Sequence, residues 1–428
     1  MKNSRFAWVV ATLLFFATTI NYMDRQVIGL LKPILEKEFN WSNTDYSIII
    51  TFFQAAYALG LLFVGRFIDK VGTRIGYAVS ILIWGISSLA HVLATGKIGF
   101  TAARSGLGFG ESGNFPGAIK ATAEWFPKKD RAFATGFFNS GANIGSLIAP
   151  LIIPWIIIVF ASNPAKPFWQ AAFIFTGLLD LIWLVIWWRL YKIPEKKGLT
   201  KEQLAYINQD DENIISEKIP WRKLWSYKQT WAYSFAKFLT DCVWWFYLFF
   251  LPSLLNDKFH LDIRKLGLPL VVVYAITTVG SLGGGWLSSY FIRIGWSINR
   301  ARKTALFIFA IFVIPVILVK YVSLWPAVIL IGIAAAAHQA WSANIMTTVS
   351  DMFPKNAVSS VIGLGGMFGS VGSMLFTLMT GFLLDHFKML GNIETGYSIL
   401  FVYASSAYVF AWLIFHFLAP KMKLVSID

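Results

Sequence analysis

The chain has 428 residues, of which 57% are hydrophobic and only 14% charged, and its mean hydropathy is +0.61. Soluble proteins carry about 25% charged residues, so this composition excludes an ordinary soluble domain and indicates a membrane protein. The net charge of +15 does not indicate a nucleic-acid-binding protein, because the basic residues are distributed between the hydrophobic segments in the pattern that orients membrane helices.

Twelve hydrophobic segments follow one another along the chain, each long enough to cross a bilayer as a helix. Of the 37 Lys and Arg residues, 24 fall in segments on the side of the N-terminus, which places both termini in the cytoplasm. The first segment has no small-residue cleavage site, so it does not resemble a signal peptide. We predict spans near residues 6–31, 45–65, 75–94, 98–124, 132–159, 168–189, 229–255, 267–291, 304–321, 325–350, 358–383 and 397–418.

One long polar stretch separates six spans from six and predicts an N-terminal bundle, 1–190, a cytoplasmic linker, 191–226, and a C-terminal bundle, 227–428. The run Thr200-Lys201-Glu202-Gln203 is typical of a helix start, so we expect a short amphipathic helix in the linker.

The two halves contain a repeat. Phe126-Pro127-Lys128 returns 227 residues later as Phe353-Pro354-Lys355, and the same offset relates Gly136 to Gly363 and Gly145 to Gly372. Parallel half-repeats of this kind are typical of transporters with a central binding site.

The first span contains two adjacent charged residues, Asp24 and Arg25. A charge at the centre of a bilayer costs about 2.5–3.5 kcal/mol even on insertion scales, so such residues usually lie on the path of a polar solute. Neighbours in a helix point about 100° apart. One side chain can therefore face the solute while the other faces another helix.

The fourth span adds Arg104 and Glu111, two helical turns or roughly 10 Å apart. They are too distant to pair along the helix, so each must face a cavity or another helix. A buried interhelical ion pair, for example Arg104 with Asp24, is the structural alternative. Because burial and neighbouring charges govern the protonation of a carboxylate, Asp24 and Glu111 are candidate proton carriers. Arg25 keeps its charge and can bind a carboxylate through two hydrogen bonds.

The segment after the second span reads Gly65-Arg66-Phe67-Ile68-Asp69-Lys70-Val71-Gly72-Thr73-Arg74. It resembles the G-x-x-x-D-[RK]-x-G-x-[RK] signature of the major facilitator superfamily. The resemblance implies twelve transmembrane helices in two pseudo-symmetric six-helix bundles that transport by alternating access. It also implies gating roles for Gly65, Asp69, Gly72 and Arg74; the alternative is a loop whose charges set the topology.

A narrower resemblance rests on Asn21-Tyr22-Met23-Asp24-Arg25, on Arg104 with Glu111, and on Glu124-Trp125-Phe126-Pro127-Lys128-Lys129-Asp130-Arg131. These motifs are similar to those of the anion:cation symporter family, and most similar to bacterial hexuronate transporters in the inner membrane. The resemblance implies Arg25 on the substrate carboxylate, and Asp24, Arg104 and Glu111 in proton coupling. The alternatives are an aldonate such as galactonate, another organic anion, or coupling to sodium.

The second half offers aromatic and amide side chains where the first has charges. At the offset of 227, Glu111 corresponds to His338, and the same span holds Trp341 and Asn344. An aromatic face and amides suit a sugar ring and its hydroxyls. We therefore expect these three residues to bind substrate, with a structural hydrogen-bonding role as the alternative for His338.

Three further polar positions lie within spans. Lys237 can attract the anion or pair with Asp241 across one turn, and Tyr57 is a candidate hydroxyl contact for the substrate. Asp180, in the sixth span, has no evident partner in the sequence. Sixth helices of this superfamily are peripheral, so no site role is assigned to it.

The sequence argues against other classes of protein. Five scattered histidines and the single Cys242 show no ligand spacing, so we expect no metal and no cofactor. No nucleophile–base set appears at membrane depth, which argues against an enzyme. A channel or a solute sensor is the remaining alternative. The expected partners are a small anionic sugar acid, protons and membrane lipid, with no nucleic acid, and we expect a monomer.

Overall fold

The structure, a computed structural model, describes residues 5–126, 128–161, 168–194, 199–200, 202, 204, 207, 221–353 and 355–425. Within these residues all regular secondary structure is helical. The described residues divide between two compact units, Met1–Trp41 with Ile48–Ile214, and Ser42–Ser47 with Ile215–Asp428. The predicted boundaries at 190/191 and 226/227 remain a prediction. Most of the predicted linker helix, including Lys201 and Gln203, lies outside the described residues.

The first unit is built from seven helices in its described part. The longest, α1, packs along α6 and α7, and α3 packs against α4 and α7. The helices are α1 (Arg5–Phe39), α2 (Asn43–Val71, of which residues 43–47 group with the second unit), α3 (Thr73–Ala90), α4 (Lys97–Glu111), α5 (Asn114–Trp125), α6 (Lys128–Val159) and α7 (Gln170–Leu190).

The second unit contains a one-turn helix, Trp221–Leu224, before its long helices. Its first long helix, α8, packs along α12 and α13, while α11 packs against α9 and α10. The helices are α8 (Lys228–Phe259), α9 (Gly267–Arg293), α10 (Ile298–Val313, continued by the 3₁₀ helix Ile314–Tyr321), α11 (Leu324–Met352), α12 (Lys355–Met389) and α13 (Ile393–Leu418).

Eleven of the predicted spans are single helices that are long and apolar enough to cross a membrane, counted over the described residues. The remaining span, predicted as one helix over 98–124, is instead broken between α4 and α5 at Ser112 and Gly113. Pro116 explains the break, because it has no N–H to donate to the carbonyl of Ser112 four residues earlier. The break places Glu111 at the last turn of α4.

The repeat seen in the sequence also appears in the packing. A Cβ at Gly145 of α6 would lie 2.3 Å from the carbonyl oxygen of Thr19 in α1, and one at Gly372 of α12 would lie 2.3 Å from that of Phe238 in α8. Both glycines thus let the fifth span of a half contact the backbone of its first span. At Gly136 and Gly363 an added Cβ would meet no atom within 4 Å. The two halves therefore repeat both a close contact and an open position.

We expect Gly145→Ala to destabilise the protein and Gly136→Ala to leave it as stable or slightly more stable. Overpacking against a backbone carbonyl costs about 1–3 kcal/mol, whereas alanine in an open helical position gains up to about 1 kcal/mol over glycine. Thermal unfolding of the two purified variants in the same detergent measures the difference. A melting temperature for Gly145→Ala at or above that of Gly136→Ala would contradict this packing.

Candidate functional site

An ion pair joins the first and fourth spans inside the first unit. The guanidinium Nε of Arg25 donates to the Oε2 atom of Glu111 at 2.7 Å. Arg25 is 4% exposed and Glu111 is fully buried. This buried ion pair thus involves two residues that the sequence identified but did not pair with each other.

Glycines of α4 bring this pair together. A Cβ at Gly108 would lie 2.4 Å from the carbonyl oxygen of Phe53 in α2, and one at Gly110 would lie 2.6 Å from the backbone nitrogen of Trp84 in α3. Small residues allow helix backbones to approach closely in a membrane. The end of α4 is therefore held against α2 and α3, next to the position where it presents Glu111.

Aromatic rings surround the Arg25 guanidinium. Its central carbon lies 4.8 Å from the ring centroids of both Tyr22 and Tyr57, and 5.8 Å from that of Phe53. A ring face attracts a cation, and the attraction is stronger where water is excluded. Tyr57, predicted as a hydroxyl contact for the substrate, is therefore also a cation–π partner of Arg25.

Arg104 is fully buried in α4. Its guanidinium carbon lies 5.6 Å from the ring centroid of Phe53, and it is close enough to Asp24 to stabilise that carboxylate electrostatically. The four charged residues predicted for the site, Asp24, Arg25, Arg104 and Glu111, therefore share the interior of the first unit.

Asp24 belongs to a second polar cluster. The hydroxyl of Ser88 donates to its Oδ1 atom at 3.0 Å and lies 3.0 Å from the hydroxyl of Thr176 in α7, and the side chain of Asp180, one turn further along α7, interacts with the Asp24 carboxyl group. The indole Nε1 of Trp84 donates to Asp180 Oδ1 at 2.6 Å. Asp180 therefore has partners that were not evident in the sequence, because a sequence does not show which face a sixth span turns inward.

In the second unit, Lys237 and Asp241 of α8 form the pair expected from their spacing, with 2.7 Å between Nζ and Oδ2. The ring of His338 stacks on that of Trp244 at 5.5 Å between centroids, and its Nδ1 atom lies 2.7 Å from the hydroxyl of Tyr408 in α13. His338 therefore joins α8, α11 and α13, which agrees with the structural alternative, and its substrate contact remains a prediction.

The other two candidates of α11 are deeply buried. Asn344 uses its amide to donate to the carbonyl oxygens of Gly284 at 2.7 Å and Ala340 at 2.9 Å, so it ties α11 to α9. Trp341 is fully buried and packs edge-on against Tyr408 at 5.6 Å between ring centroids. Their predicted substrate contacts remain predictions.

The segment 65–74, which resembles the superfamily signature, joins α2 to α3. Gly72 adopts a φ of +86°, a left-handed conformation that favours glycine, where α2 ends and α3 begins. Arg74 donates to the backbone oxygen of Trp188 at 2.6 Å, near the end of α7, while Gly65 has open space beside it. The side chain of Asp69 lies outside the described residues. The gating role of these four residues remains a prediction.

An acidic contact near this segment was missed by the sequence reasoning. Glu124 at the end of α5 accepts hydrogen bonds from Thr73 at the start of α3 and from Tyr191 just after α7. Burial and the adjacent Glu124 raise the pKa of the Tyr191 hydroxyl, which keeps it a donor. The residue 227 positions later, Asp351, pairs with Arg302 of α10 at 3.0 Å. The repeat offset could have indicated both acids.

Comparisons with known proteins agree with this architecture. The sequence profile of the Major Facilitator Superfamily matches residues 14–377. The chain belongs to the major facilitator superfamily. It is therefore a multi-pass membrane transporter and not an enzyme. The predicted fold class is confirmed.

Two relatives and one solved structure illustrate the similarity. The hexuronate transporter of Escherichia coli K12 is 31% identical over 385 residues, which is 88% of each chain. The galacturonate transporter of Dickeya chrysanthemi is 28% identical over 66% of this chain and 82% of its own. A bacterial homologue of the human lysosomal transporter Spinster, in an inward-facing and occupied conformation, superposes with a TM-score of 0.78 at 19% identity, over 98% of each chain.

We expect the variants Arg25→Met and Glu111→Leu each to destabilise the protein by about 3–5 kcal/mol, because each leaves a buried charge without its partner. The double variant removes both charges and should be more stable than either single variant. Unfolding in detergent measures all three. Glu394→Gln is the control, since the Lys258–Glu394 pair is 3.4 Å long with Glu394 48% exposed, and its loss should cost about 1 kcal/mol or less. Additive losses in the double variant would contradict the pairing.

Proposed function

We propose that this protein takes up a hexuronate, glucuronate or galacturonate, together with protons, by alternating access across a bacterial inner membrane with both termini in the cytoplasm. The relatives named as hexuronate and galacturonate transporters support the substrate class, and the charge distribution of the chain supports the orientation. The same substrate class is consistent with the motifs around Asp24, Arg25 and Glu111.

The observation that carries this proposal is the buried contact of 2.7 Å between Arg25 and Glu111. Arginine is the residue best suited to bind a carboxylate through two parallel hydrogen bonds. In the substrate-free pair, Glu111 occupies one of these donors and neutralises the charge. The carboxylate of a sugar acid would therefore compete with Glu111 for Arg25.

This competition couples the anion to a proton. When Glu111 binds a proton it loses its negative charge, and the positive charge of Arg25 becomes available to the substrate. Conversely, a substrate carboxylate on Arg25 displaces Glu111 and favours its protonation, because an ionised and unpaired carboxylate is costly in a buried site. Anion and proton then bind more tightly together than separately, as symport requires.

The remaining predicted site residues have supporting roles in this proposal. Tyr57 holds the guanidinium plane by its ring and offers a hydroxyl to the sugar, while Arg104 stabilises charge near Asp24. His338, Trp341 and Asn344 contribute the sugar platform, and Lys237 contributes positive potential that Asp241 partly offsets. Gly65, Asp69, Gly72 and Arg74 belong to the gate. We further propose that the transporter acts as a monomer in lipid.

We expect Glu111→Gln to impair accumulation of glucuronate against a gradient but to keep counterflow exchange in proteoliposomes. Glutamine cannot bind and release a proton, but it leaves Arg25 able to bind the anion. Exchange of internal for external glucuronate needs anion binding and no net proton movement, so it should be retained. The measurement is uptake of labelled glucuronate with and without an inward proton gradient, followed by exchange at equal pH. Accumulation in Glu111→Gln equal to that of the wild-type protein would show that Glu111 carries no coupled proton, and sodium-dependent uptake at fixed pH would indicate the alternative of sodium coupling.

We expect glucuronate and galacturonate to raise the melting temperature of the purified protein, and glucose and galactose not to do so. A ligand that binds the folded state stabilises it by mass action, and only the acids carry the carboxylate that Arg25 binds. Arg25→Lys keeps the charge but loses the planar fork, so the shift should shrink strongly. A larger shift with galactonate than with either hexuronate would favour the aldonate alternative.

A further inference from the structure

The proposed competition at Arg25 assigns no role to Asp180, yet this residue is one of the most completely buried acids of the first unit. Asp24 in α1 and Asp180 in α7 are each 1% exposed, and they interact against one face of α3, where their donors Ser88 and Trp84 are one helical turn apart. Gly85 of α3 makes room for this contact, because a Cβ there would lie 2.9 Å from the Cβ of Asp180.

The donors around the two carboxyl groups leave one oxygen of each unsatisfied. Ser88 and Thr176, whose hydroxyls lie 3.0 Å apart, face Asp24, with Ser88 donating to its Oδ1 atom, and Trp84 donates to Asp180 Oδ1. The Oδ2 atoms of both aspartates are buried and receive no hydrogen bond from a donor in the described part of the chain. An ionised carboxylate can only accept hydrogen bonds, so two ionised groups in contact cannot satisfy each other. A proton on either group turns the contact into a donor–acceptor pair.

The surrounding charges favour the same state. The charged groups acting on the pair are Arg104 and Glu111 of α4, and Glu111 is itself paired with Arg25. With every group ionised, the cluster of two arginines and three acids would carry one excess negative charge away from water. One bound proton brings it to neutrality, and two carboxyl groups sharing a site do not both ionise readily.

We propose that Asp24 and Asp180 together form a proton-binding site that holds one proton between their carboxyl groups, separate from the proton carried by Glu111. Asp180 is thus a partner in coupling and not a structural residue of a peripheral helix. This inference rests on the proposed proton symport. When the site is loaded, one carboxyl group carries the O–H bond and the other accepts from it. When it is unloaded, the proton has left to water and both groups are ionised.

The site changes the expected stoichiometry. A proton on Glu111 and a second on the aspartate pair would accompany each monovalent sugar anion, so each cycle would move one net positive charge. Uptake should then be driven by the membrane potential as well as by the proton gradient. If Asp24 acted alone, replacing Asp180 would leave the number of protons unchanged.

The test is the ratio of protons to glucuronate, measured from reversal potentials in proteoliposomes of the full-length protein. We expect Asp180→Asn and Asp24→Asn each to lower the ratio from two to one. The asparagine N–H group supplies the hydrogen bond to the remaining carboxylate, so no transported proton is needed there. The double variant should not lower it further. Trp84→Phe removes a donor but keeps both carboxyl groups, so its ratio should stay at two, whatever its rate.

The outcomes separate this site from the proposed function. A wild-type protein that moves no protons with glucuronate overturns the symport itself. A wild-type ratio of two that persists in Asp180→Asn overturns the shared site alone, as does a lowered ratio in Trp84→Phe. Should Asp180→Asn fail to fold, the infrared spectrum of Glu111→Gln at neutral pH decides. A buried protonated carboxyl band is expected there, and its absence overturns the proposal.

Discussion

A guanidinium that cannot lose its charge is buried in the first helix, and the first unit is arranged to compensate for it. Arginine stays protonated at any pH a protein meets, so Arg25 cannot escape the cost of burial by deprotonation. Glu111 supplies the opposite charge at 2.7 Å, and the rings of Tyr22 and Tyr57 cover the guanidinium. In the proposed mechanism the substrate carboxylate takes the place of Glu111, so the group that compensates the buried charge and the group that is transported compete for Arg25.

The compensation depends on backbone contacts some distance from the charges. Gly108 and Gly110 bring α4 against α2 and α3, and the break at Ser112 and Gly113 ends α4 at the residue that pairs with Arg25. Side chains at the two glycine positions would push α4 outward and lengthen the Arg25–Glu111 contact. The electrostatic attraction between the two charges weakens as that distance grows. The two glycines therefore affect the strength of the ion pair, because they determine where Glu111 is placed.

Local features of the sequence were sufficient to predict where most helices lie and which residues pair within one helix. Hydropathy located eleven uninterrupted spans to within a few residues at most ends, and spacing within one helix predicted the Lys237–Asp241 pair. Contacts between helices were not predictable in the same way. Whether Glu111 meets Arg25, and whether Asp180 meets Asp24, depends on how each helix is rotated about its axis. A helix with polar groups on several faces does not reveal that rotation from its sequence alone.

The comparison of the two halves separates what the fold requires from what the chemistry requires. Gly145 and Gly372 repeat one backbone contact, whereas the residue 227 positions after Glu111 is His338, which makes neutral contacts with Tyr408 and Trp244. Helix packing must be satisfied in each bundle, so its small residues recur. A monovalent anion needs only one arginine, and a second buried charge cluster would add desolvation cost without a second carboxylate to bind. The unit that holds Arg25 can therefore carry this cluster alone, while in the second unit the charge of Lys237 is paired within its own helix by Asp241.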